Sequence, residues 1–202
     1  MQNFNYHTHT YRCGHADDKL MDEDYVKLFI DKGFKKIAFT DHAPQKNDID
    51  KRRNMRMKYS EKDEYLNSIK ILKEKYKSII DIETGFEIEY LPGEEQELLE
   101  LKKEVDKIVL GQHFIYDEYN KNLKIFRYHE FTDEDLFKYA EYIKTAIEKG
   151  LPNIIVHPDL YMLARDNFRE NEARVAHIIC GAAEKYNIPL EINLTEANLY
   201  HK

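Results

Sequence analysis

The stretch Asn5-Tyr6-His7-Thr8-His9-Thr10 places two histidines one residue apart, behind a short apolar start. On a β-strand, positions i and i+2 point to the same face, so both imidazoles can reach one metal ion from the end of the strand. A single histidine is more often a packed core or surface residue than a ligand. The interpretation of His7 and His9 as ligands therefore depends on the rest of the chain.

Further candidate ligands follow the first pair. His15 lies on the next loop, and later strand-like segments end in Thr40-Asp41-His42, Gly85-Phe86-Glu87, Gly111-Gln112-His113 and Val156-His157-Pro158. Their shared position at the ends of predicted strands argues against treating each one as an ordinary polar residue. Together with His7 and His9 they predict a polynuclear metal site.

Composition narrows the class of protein. The 202 residues, 42% of them hydrophobic, favour a single domain over 1–202 with a sizeable core. A formal net charge of -7 and the lack of a long basic run argue against a nucleic-acid partner. No apolar stretch approaches the ~20 residues that cross a bilayer, and the N-terminus lacks a signal-peptide core, so we expect no membrane partner and a cytoplasmic location.

The two cysteines, Cys13 and Cys180, are far apart and show no CxxC spacing, which fits a reducing compartment. Cys13 lies among the candidate ligands, so it is either a thiolate ligand or a packed loop residue. We favour the packed residue because the histidines already supply enough ligands.

Apolar periodicity predicts strands and helices in alternation. Strands are expected at 2–6, 36–40, 78–87, 107–110, 153–156 and 189–193, and helices at 22–32, 60–76, 94–105, 132–149 and 170–186. Gly33 should end the first helix, a box of Ser60 and Asp63 should begin the second, and Thr132 should cap the fourth. Six β units alternating with helices indicate a parallel α/β barrel or a doubly wound sheet. The ligand positions favour the barrel, because only there do the C-terminal ends of all strands meet at one mouth.

The same motifs carry a resemblance to a known family. They are Tyr6-His7-Thr8-His9-Thr10, Arg12-Cys13-Gly14-His15-Ala16, Phe39-Thr40-Asp41-His42-Ala43-Pro44, Gly85-Phe86-Glu87-Ile88-Glu89-Tyr90, Gly111-Gln112-His113-Phe114-Ile115 and His157-Pro158-Asp159. In these motifs and their order the chain resembles the PHP (polymerase and histidinol phosphatase) superfamily, most closely its histidinol-phosphate phosphatase branch. The resemblance implies a distorted (β/α)7 barrel with a trinuclear metal site that hydrolyses phosphomonoesters.

The resemblance also implies how the ligands are shared among up to three divalent ions of zinc, manganese or iron. His7, His9 and Glu87 would hold the first, Glu87, His113 and His157 the second, and His15 with His42 the third. Glu87 would bridge two metals, which a carboxylate can do and a neutral imidazole cannot.

One family motif is absent from this chain. The pattern continues to a seventh strand ending in Asp-x-His, and His201 does not supply it because Leu199 stands where the aspartate should be. We therefore expect a C-terminally incomplete barrel without its last strand and a weakly held third metal. Exposed sheet edges would then favour a homo-oligomer.

The resemblance implies a metal-dependent phosphatase, with L-histidinol phosphate as the expected small phosphorylated substrate. Metal ions would activate water for attack on phosphorus and clamp the reacting oxygens. Two alternatives stay open: another phosphoesterase of the family, acting on phosphodiesters or phosphotyrosine, and a non-catalytic metal-binding module.

Polar residues beside the ligands are candidates for supporting roles. Asp41, Glu89 and Asp159 are each expected to orient an imidazole through its second nitrogen. For Glu89, a contact with a lysine or a backbone amide is nearly as good an interpretation. Asp41 joins Glu87 and Arg165 in the predicted catalytic set.

Arg165 is the best candidate for a phosphate-binding cation, since a guanidinium can grip two phosphate oxygens. Arg12 is the next. Tyr161 is a candidate for the substrate pocket, and the basic stretch 43–59 is either a solvated loop or a substrate lid. His129 and His177 are placed outside the site.

Overall fold

The computed structural model of the protein describes residues 2–17, 19–44, 55–117, 122–126, 129–165 and 167–193. The chain forms two compact units. The first contains the described residues up to Glu87 together with Lys103–Ile108, and the second contains Ile88–Lys102 and the described residues from Val109 onward. None of the helices in these ranges has the length and apolar character needed to span a bilayer.

The first unit is built from parallel strands joined by helices. Its elements are β1 (Phe4–Asn5), α1 (Asp22–Asp31), β2 (Lys36–Phe39), α2 (Lys62–Tyr76) and β3 (Asp81–Ile88), the last residue of which begins the second unit. β1 pairs with β2 and β2 with β3, both in parallel. Parallel pairing brings the C-terminal ends of all three strands to the same edge of the sheet.

Of the two helix ends predicted in the first unit, one agrees with the structure and one does not. α1 ends where Gly33 adopts a φ of +80°, as expected for a glycine that terminates a helix. The predicted box of Ser60 and Asp63 is wrong, because α2 begins at Lys62 after a 3-10 turn in which the Lys58 N–H donates to the Glu61 carboxylate at 2.8 Å.

The core of the first unit lies between the sheet and α2. Ile37 and Phe39 of β2 and Phe86 of β3 are fully buried, and Tyr65 of α2 donates its hydroxyl to the Gly85 carbonyl at 2.9 Å. Gly85 is required at this point: a Cβ there would lie 2.5 Å from the carbonyl oxygen of Lys107. This close packing fixes the position of the strand end that carries Glu87.

The second unit contains the remaining elements. They are α3 (Glu95–Lys103, with Lys103 in the first unit), β4 (Lys107–Leu110, from Val109 onward), β5 (Phe114–Asp117), β6 (Asn122–Ile125), α4 (Asp133–Glu148), β7 (Ile154–Ile155) and α5 (Glu170–Tyr186). β4 pairs in parallel with β7, whereas β5 and β6 form an antiparallel pair that the sequence patterns did not predict. The parallel strands with intervening helices confirm the predicted α/β class.

The predicted cap of α4 is confirmed. Thr132 accepts the Asp135 N–H through its hydroxyl at 3.2 Å and donates its own N–H to the Asp135 carboxylate at 2.9 Å. The predicted strand at 189–193 is reduced to a single parallel bridge between Leu190 and Ile155. That bridge still aligns the segment carrying Glu191 with the end of β7.

Candidate metal centre

Three histidines surround one carboxylate oxygen in the first unit. Glu87 is fully buried, and its Oε2 lies 3.0 Å from Nε2 of His9, 3.5 Å from Nε2 of His7 and 3.3 Å from Nδ1 of His42. These residues come from the ends of three parallel strands, so the sheet brings them to one point.

Backbone pairing continues past the strand ends and places the ligands. β1 stops at Asn5, but the Thr8 carbonyl still accepts the Thr40 N–H at 2.9 Å, and the Thr8 N–H donates to the Thr40 hydroxyl at 3.1 Å. His42 and Glu87 form a parallel bridge in which the Glu87 N–H donates to the Asp41 carbonyl at 3.0 Å. The candidate ligands therefore stand on hydrogen-bonded backbone rather than on loose loops.

The spacing of these donor atoms fits a shared divalent cation. Nε2 of His7 and Nε2 of His9 are 2.9 Å apart. Ligand atoms bound to one tetrahedral metal at the usual bond lengths lie roughly 3.3–3.5 Å from one another, which is close to the distances here. Imidazole nitrogen with carboxylate oxygen is a donor set that suits zinc, manganese and iron.

A second group in the same unit consists of His9, His15 and His42. One nitrogen from each lies within 4.8 Å of the others. Nδ1 of His15 is 2.9 Å from the carbonyl oxygen of Cys13. Because a carbonyl can only accept, Nδ1 carries the proton, and Nε2 of His15 is the nitrogen that could bind a metal.

Asp41 organises the turn between His9 and His15. Its carboxylate is fully buried and accepts the N–H of Thr10 at 2.7 Å, the hydroxyl of Thr10 at 2.9 Å and the thiol of Cys13 at 2.9 Å. Burial raises the pKa of Asp41, against the opposing effect of these hydrogen bonds. The contacts show Asp41 supporting the loop on which His15 lies.

Cys13 is fully buried, as the interpretation of a packed loop residue requires. Its Sγ lies 3.3 Å from Nδ1 of His9 and 3.1 Å from the backbone nitrogen of His42. Burial, together with the nearby Asp41, raises the pKa of the thiol far above its ordinary value.

The second unit brings His113 and His157 together, with ring centroids 4.9 Å apart. Nδ1 of His113 is 3.1 Å from Oε1 of the buried Glu89. This contact with an imidazole is the one predicted for Glu89. It assigns a proton to Nδ1 and leaves Nε2 as the nitrogen of His113 that could bind a metal.

Two supporting residues of the second unit were missed by the sequence analysis. Glu191 accepts the backbone N–H of His157 at 3.0 Å, and His157 has a φ of +33°, a strained value for a residue with a side chain. Gln112 is fully buried and bonds the Tyr90 N–H at 2.9 Å and the Phe114 carbonyl at 2.6 Å. The sequence carried a sign of both residues, because each is a polar residue that follows an apolar stretch: Glu191 after 188–190 and Gln112 after 108–111.

A family model for the PHP domain matches residues 5–195. The chain belongs to the PHP domain family. The resemblance drawn from the motifs is thus confirmed.

Curated relatives of this PHP chain include the histidinol-phosphatase of Bacillus subtilis (strain 168), 29% identical over 57% of this chain and 45% of that protein. A probable histidinol-phosphatase of Schizosaccharomyces pombe is 30% identical over 78% of this chain and 56% of that protein. The chain therefore spans about half the length of these relatives.

Solved structures show the same fold. The hisK protein of Listeria monocytogenes superposes with a TM-score of 0.76 at 22% identity, over 93% of this chain and 80% of that one. The histidinol phosphate phosphatase of Lactococcus lactis, solved with zinc, L-histidinol and phosphate, gives a TM-score of 0.71 at 20% identity, over 95% and 73%. The predicted PHP-type fold is confirmed by these likenesses.

The two arginines predicted to bind phosphate contact protein acceptors. In Arg165, Nε lies 2.6 Å from Glu172, Nη1 lies 3.1 Å from the Phe131 carbonyl and Nη2 lies 2.5 Å from Asp133. A phosphate would have to share this guanidinium with three acceptors that it already bonds. Its role as a phosphate-binding cation stays a prediction.

Arg12 is held in the same way. Its Nη1 lies 2.6 Å from Asp22, its Nη2 lies 3.0 Å from Glu64, and the side chain is only 4% exposed. Arg12 therefore ties the loop after His9 to the helices of the first unit.

The remaining candidates are Tyr161, Asp159, His129, His177, the proposed lid and His201. Tyr161 is buried and donates its hydroxyl to the Glu172 carbonyl at 3.1 Å, which makes it a core residue of the second unit. Asp159 precedes the 3-10 turn Leu160–Ala164. His129 and His177 are exposed and belong to neither group. Residues 45–54 of the proposed lid, and His201, lie outside the described residues.

Proposed function

We propose that this PHP chain carries the metal centre of a phosphomonoesterase that acts on L-histidinol phosphate. The observation that carries the proposal is the convergence of His7, His9 and His42 on one oxygen of the buried Glu87. A buried carboxylate surrounded by three imidazoles is poorly suited to a purely structural core, because each of these polar groups must be desolvated. A bound cation compensates that cost.

The proposed ligand sets follow the family resemblance. His7, His9 and Glu87 hold the first cation, Glu87 with His113 and His157 the second, and His15 with His42 the third. Glu89, which hydrogen-bonds His113, follows Glu87 by two residues on the same segment of chain. This continuity supports a bridging position for Glu87.

The ions, proposed as zinc, manganese or iron, supply charge neutralisation at phosphate oxygens and lower the pKa of water. The side chains of this protein supply geometry. Hydrogen bonds from Nδ1 of His15 and of His113 hold each ring in place and leave its Nε2 as the nitrogen that faces the proposed cations. The buried carboxylate of Glu87 brings negative charge into a poorly solvated place, where its attraction for a cation is strongest.

Phosphomonoester hydrolysis is extremely slow without a catalyst. The charge neutralisation and the activated water that bound cations would supply are what this reaction needs. The choice of L-histidinol phosphate is supported by the names of the Bacillus and Schizosaccharomyces relatives. It is supported further by the Lactococcus structure, which contains L-histidinol and phosphate beside zinc.

The test is an assay of metal-stripped protein reloaded separately with zinc, manganese or iron. The substrates are L-histidinol phosphate, other phosphomonoesters, phosphotyrosine and a phosphodiester. We expect hydrolysis to be fastest with L-histidinol phosphate and to be lost in His7→Gln. The matched control is His177→Gln, an exposed histidine on α5, which should keep full activity.

Other outcomes select other functions. Preferential cleavage of the phosphodiester or of phosphotyrosine would replace the proposed substrate by that of another family phosphoesterase. Stoichiometric metal binding without hydrolysis of any ester would identify a metal-binding module. Failure to bind any of the three metals would overturn the proposal as a whole.

A further inference from the structure

We propose that Cys13 is a positioning residue that sets the tautomer and the orientation of His9. The inference deepens the proposed function, because it rests on His9 being a metal ligand. Cys13 itself is not a ligand in this proposal. It acts through hydrogen bonds made by its thiol at the edge of the His9 ring that points away from Glu87.

The direction of each hydrogen bond at Cys13 follows from its partners. Sγ is 2.9 Å from Oδ1 of Asp41, and that same oxygen accepts the backbone N–H of Thr10 at 2.7 Å. The other oxygen, Oδ2, accepts the Thr10 hydroxyl at 2.9 Å, so both oxygens of Asp41 act as acceptors and the proton between sulfur and Oδ1 belongs to the thiol. The backbone N–H of His42 points at Sγ from 3.1 Å and can only donate.

The thiol proton is therefore used in the bond to Asp41, and sulfur is left as an acceptor. Nδ1 of His9 lies 3.3 Å from Sγ, so the proton in this contact must come from the ring nitrogen. His9 is then protonated on Nδ1 and presents a lone pair on Nε2. Nε2 is the atom that lies 3.0 Å from Glu87, where the first cation is proposed.

Cys13 serves a second histidine through its backbone. The carbonyl oxygen accepts the Nδ1–H of His15 at 2.9 Å, so one residue orients two candidate ligands. The turn that allows this is closed by the Cys13 N–H donating to the Thr10 carbonyl at 3.1 Å. Asp41 lies behind the turn and holds both Thr10 and the thiol.

The competing interpretation makes Cys13 a thiolate ligand, since His9, Cys13 and Asp41 lie close enough to hold an ion. For the cation proposed at Glu87, the ring geometry of His9 disfavours a sulfur ligand. Nδ1 and Nε2 lie on different edges of an imidazole, and Nδ1 is the nitrogen that lies 3.3 Å from Sγ. A cation shared with Glu87 at Nε2 is thus on the other side of the ring from the sulfur. An ion at Nδ1 would have to displace the proton that the hydrogen bonds of Cys13 assign to that nitrogen.

The experiment compares the full chain with Cys13→Ala and Cys13→Ser. The control is Cys180→Ala, which removes an exposed cysteine from α5. Nitrogen-15 NMR reports the tautomer of His9, assigned with His9→Gln, in zinc-loaded and metal-free protein. Chelator competition gives zinc affinity, and cobalt(II) substitution reports sulfur ligation through its charge-transfer absorption.

We expect wild-type His9 to be protonated on Nδ1 with or without zinc, and no sulfur-to-cobalt absorption. Cys13→Ala should lose the tautomer preference and bind zinc roughly 10–100-fold more weakly, as is typical when a partner of a ligand histidine is removed. Cys13→Ser should retain the tautomer, because a hydroxyl can also donate to Asp41 and accept from His9. Cys180→Ala should match wild type.

Three results would overturn the proposal: a wild-type His9 protonated on Nε2, an unchanged tautomer and affinity in Cys13→Ala, or a sulfur-to-cobalt band that Cys13→Ala abolishes. If Cys13→Ala does not fold, the wild-type and Cys13→Ser spectra decide the matter. A wild-type protein that binds no zinc would defeat the proposed function, whereas the metal-free tautomer would still decide the role of Cys13.

Discussion

Nε2 of His9 lies 3.0 Å from Oε2 of Glu87 in the first unit of the protein. The glutamate is fully buried at the end of β3, and the histidine stands beyond the end of β1. β2 lies between these two strands in the sheet, so the contact depends on the parallel register of all three. The geometry at this pair leads to the first prediction.

Glu87→Gln should lower the amount of bound metal and abolish phosphatase activity. An amide keeps the shape of the side chain but removes the negative charge that attracts cations. Metal content after gel filtration, measured by elemental analysis, checks the first effect, and the phosphatase assay checks the second. Glu74→Gln on the exposed face of α2 is the control, since its side chain is 70% exposed. Full metal stoichiometry with normal turnover in Glu87→Gln would refute the bridging role.

Arg165→Ala should destabilise the second unit. The carboxylate of Glu172 is almost completely buried and would lose its contact with Nε of Arg165 at 2.6 Å. The loss of a hydrogen bond to a charged buried group typically costs about 1.5–3 kcal/mol in the free energy of unfolding. Urea denaturation measures it. In the background of Glu172→Gln the same substitution should cost much less, because no buried charge is then left unpaired.

The same Arg165→Ala protein also tests the predicted phosphate contact. The assay is run under conditions in which the variant is still folded. Loss of a phosphate-binding cation should then raise KM for the ester while metal content stays normal. An unchanged KM together with reduced stability would assign Arg165 a structural role alone. Arg165→Ala should in any case leave more activity than Glu87→Gln, which removes a proposed ligand of two metals.

Gly85→Ala should be strongly destabilising. The new methyl group would lie 2.5 Å from the carbonyl oxygen of Lys107 and 3.0 Å from Cγ2 of Thr40, so the backbone near β3 must shift. Such overpacking typically costs about 1–3 kcal/mol. The control is Gly181→Ala in α5, where nothing lies within 4 Å of the added atom. Gly181→Ala should be neutral or stabilising by up to ~1 kcal/mol, and equal denaturation midpoints for the two variants would contradict the packing argument.

Asp135 should make stability depend on pH. Partial burial opposes its ionisation, but the hydrogen bonds from Lys124 and Thr132 outweigh that effect and hold the pKa of Asp135 below its ordinary value. A lowered pKa means that the stabilisation is complete above the unfolded pKa of about 3.9 and is lost as the pH falls through the folded pKa. The difference in unfolding free energy between wild type and Asp135→Asn should thus be constant near neutral pH and should become smaller in acid.

The measurement is urea denaturation at a series of pH values. Asp31→Asn serves as the control because its carboxylate is 77% exposed at the end of α1. This control should show no comparable acid-dependent difference. If the difference in unfolding free energy between wild type and Asp135→Asn instead grows as the pH falls, Asp135 does not stabilise the fold through a lowered pKa.

Much of the candidate centre was predictable because its signals are local. A polar residue that directly follows an apolar stretch stands at the end of a strand, and parallel strands bring their ends together. This reasoning identified His42 and Glu87, and the structure places them 3.3 Å apart. Thr132 was predicted as a cap for the same reason, since its partner Asp135 is only one turn away.

Other features could not be read from local patterns. The β5 and β6 pair was missed because neither strand shows apolar alternation: β5 buries two adjacent residues, Phe114 and Ile115, and β6 is only partly buried. Arg165 was assigned to phosphate from its position after the His157 motif. Its contacts with Asp133 and Glu172 arise only when α4 and α5 pack together in the second unit.

The sequence by itself determined the α/β class, the identity of the candidate ligands and their order along the chain, because each depends on apolar periodicity and on the residue that follows it. Only the tertiary structure decided which nitrogen of each ring faces the proposed cations. That choice depends on the acceptor at the opposite edge of the ring: the sulfur of Cys13 for His9 and the carboxylate of Glu89 for His113. A side chain meets such an acceptor only after the chain has folded, since hydrogen bonds form between neighbours in space and not between positions in a pattern.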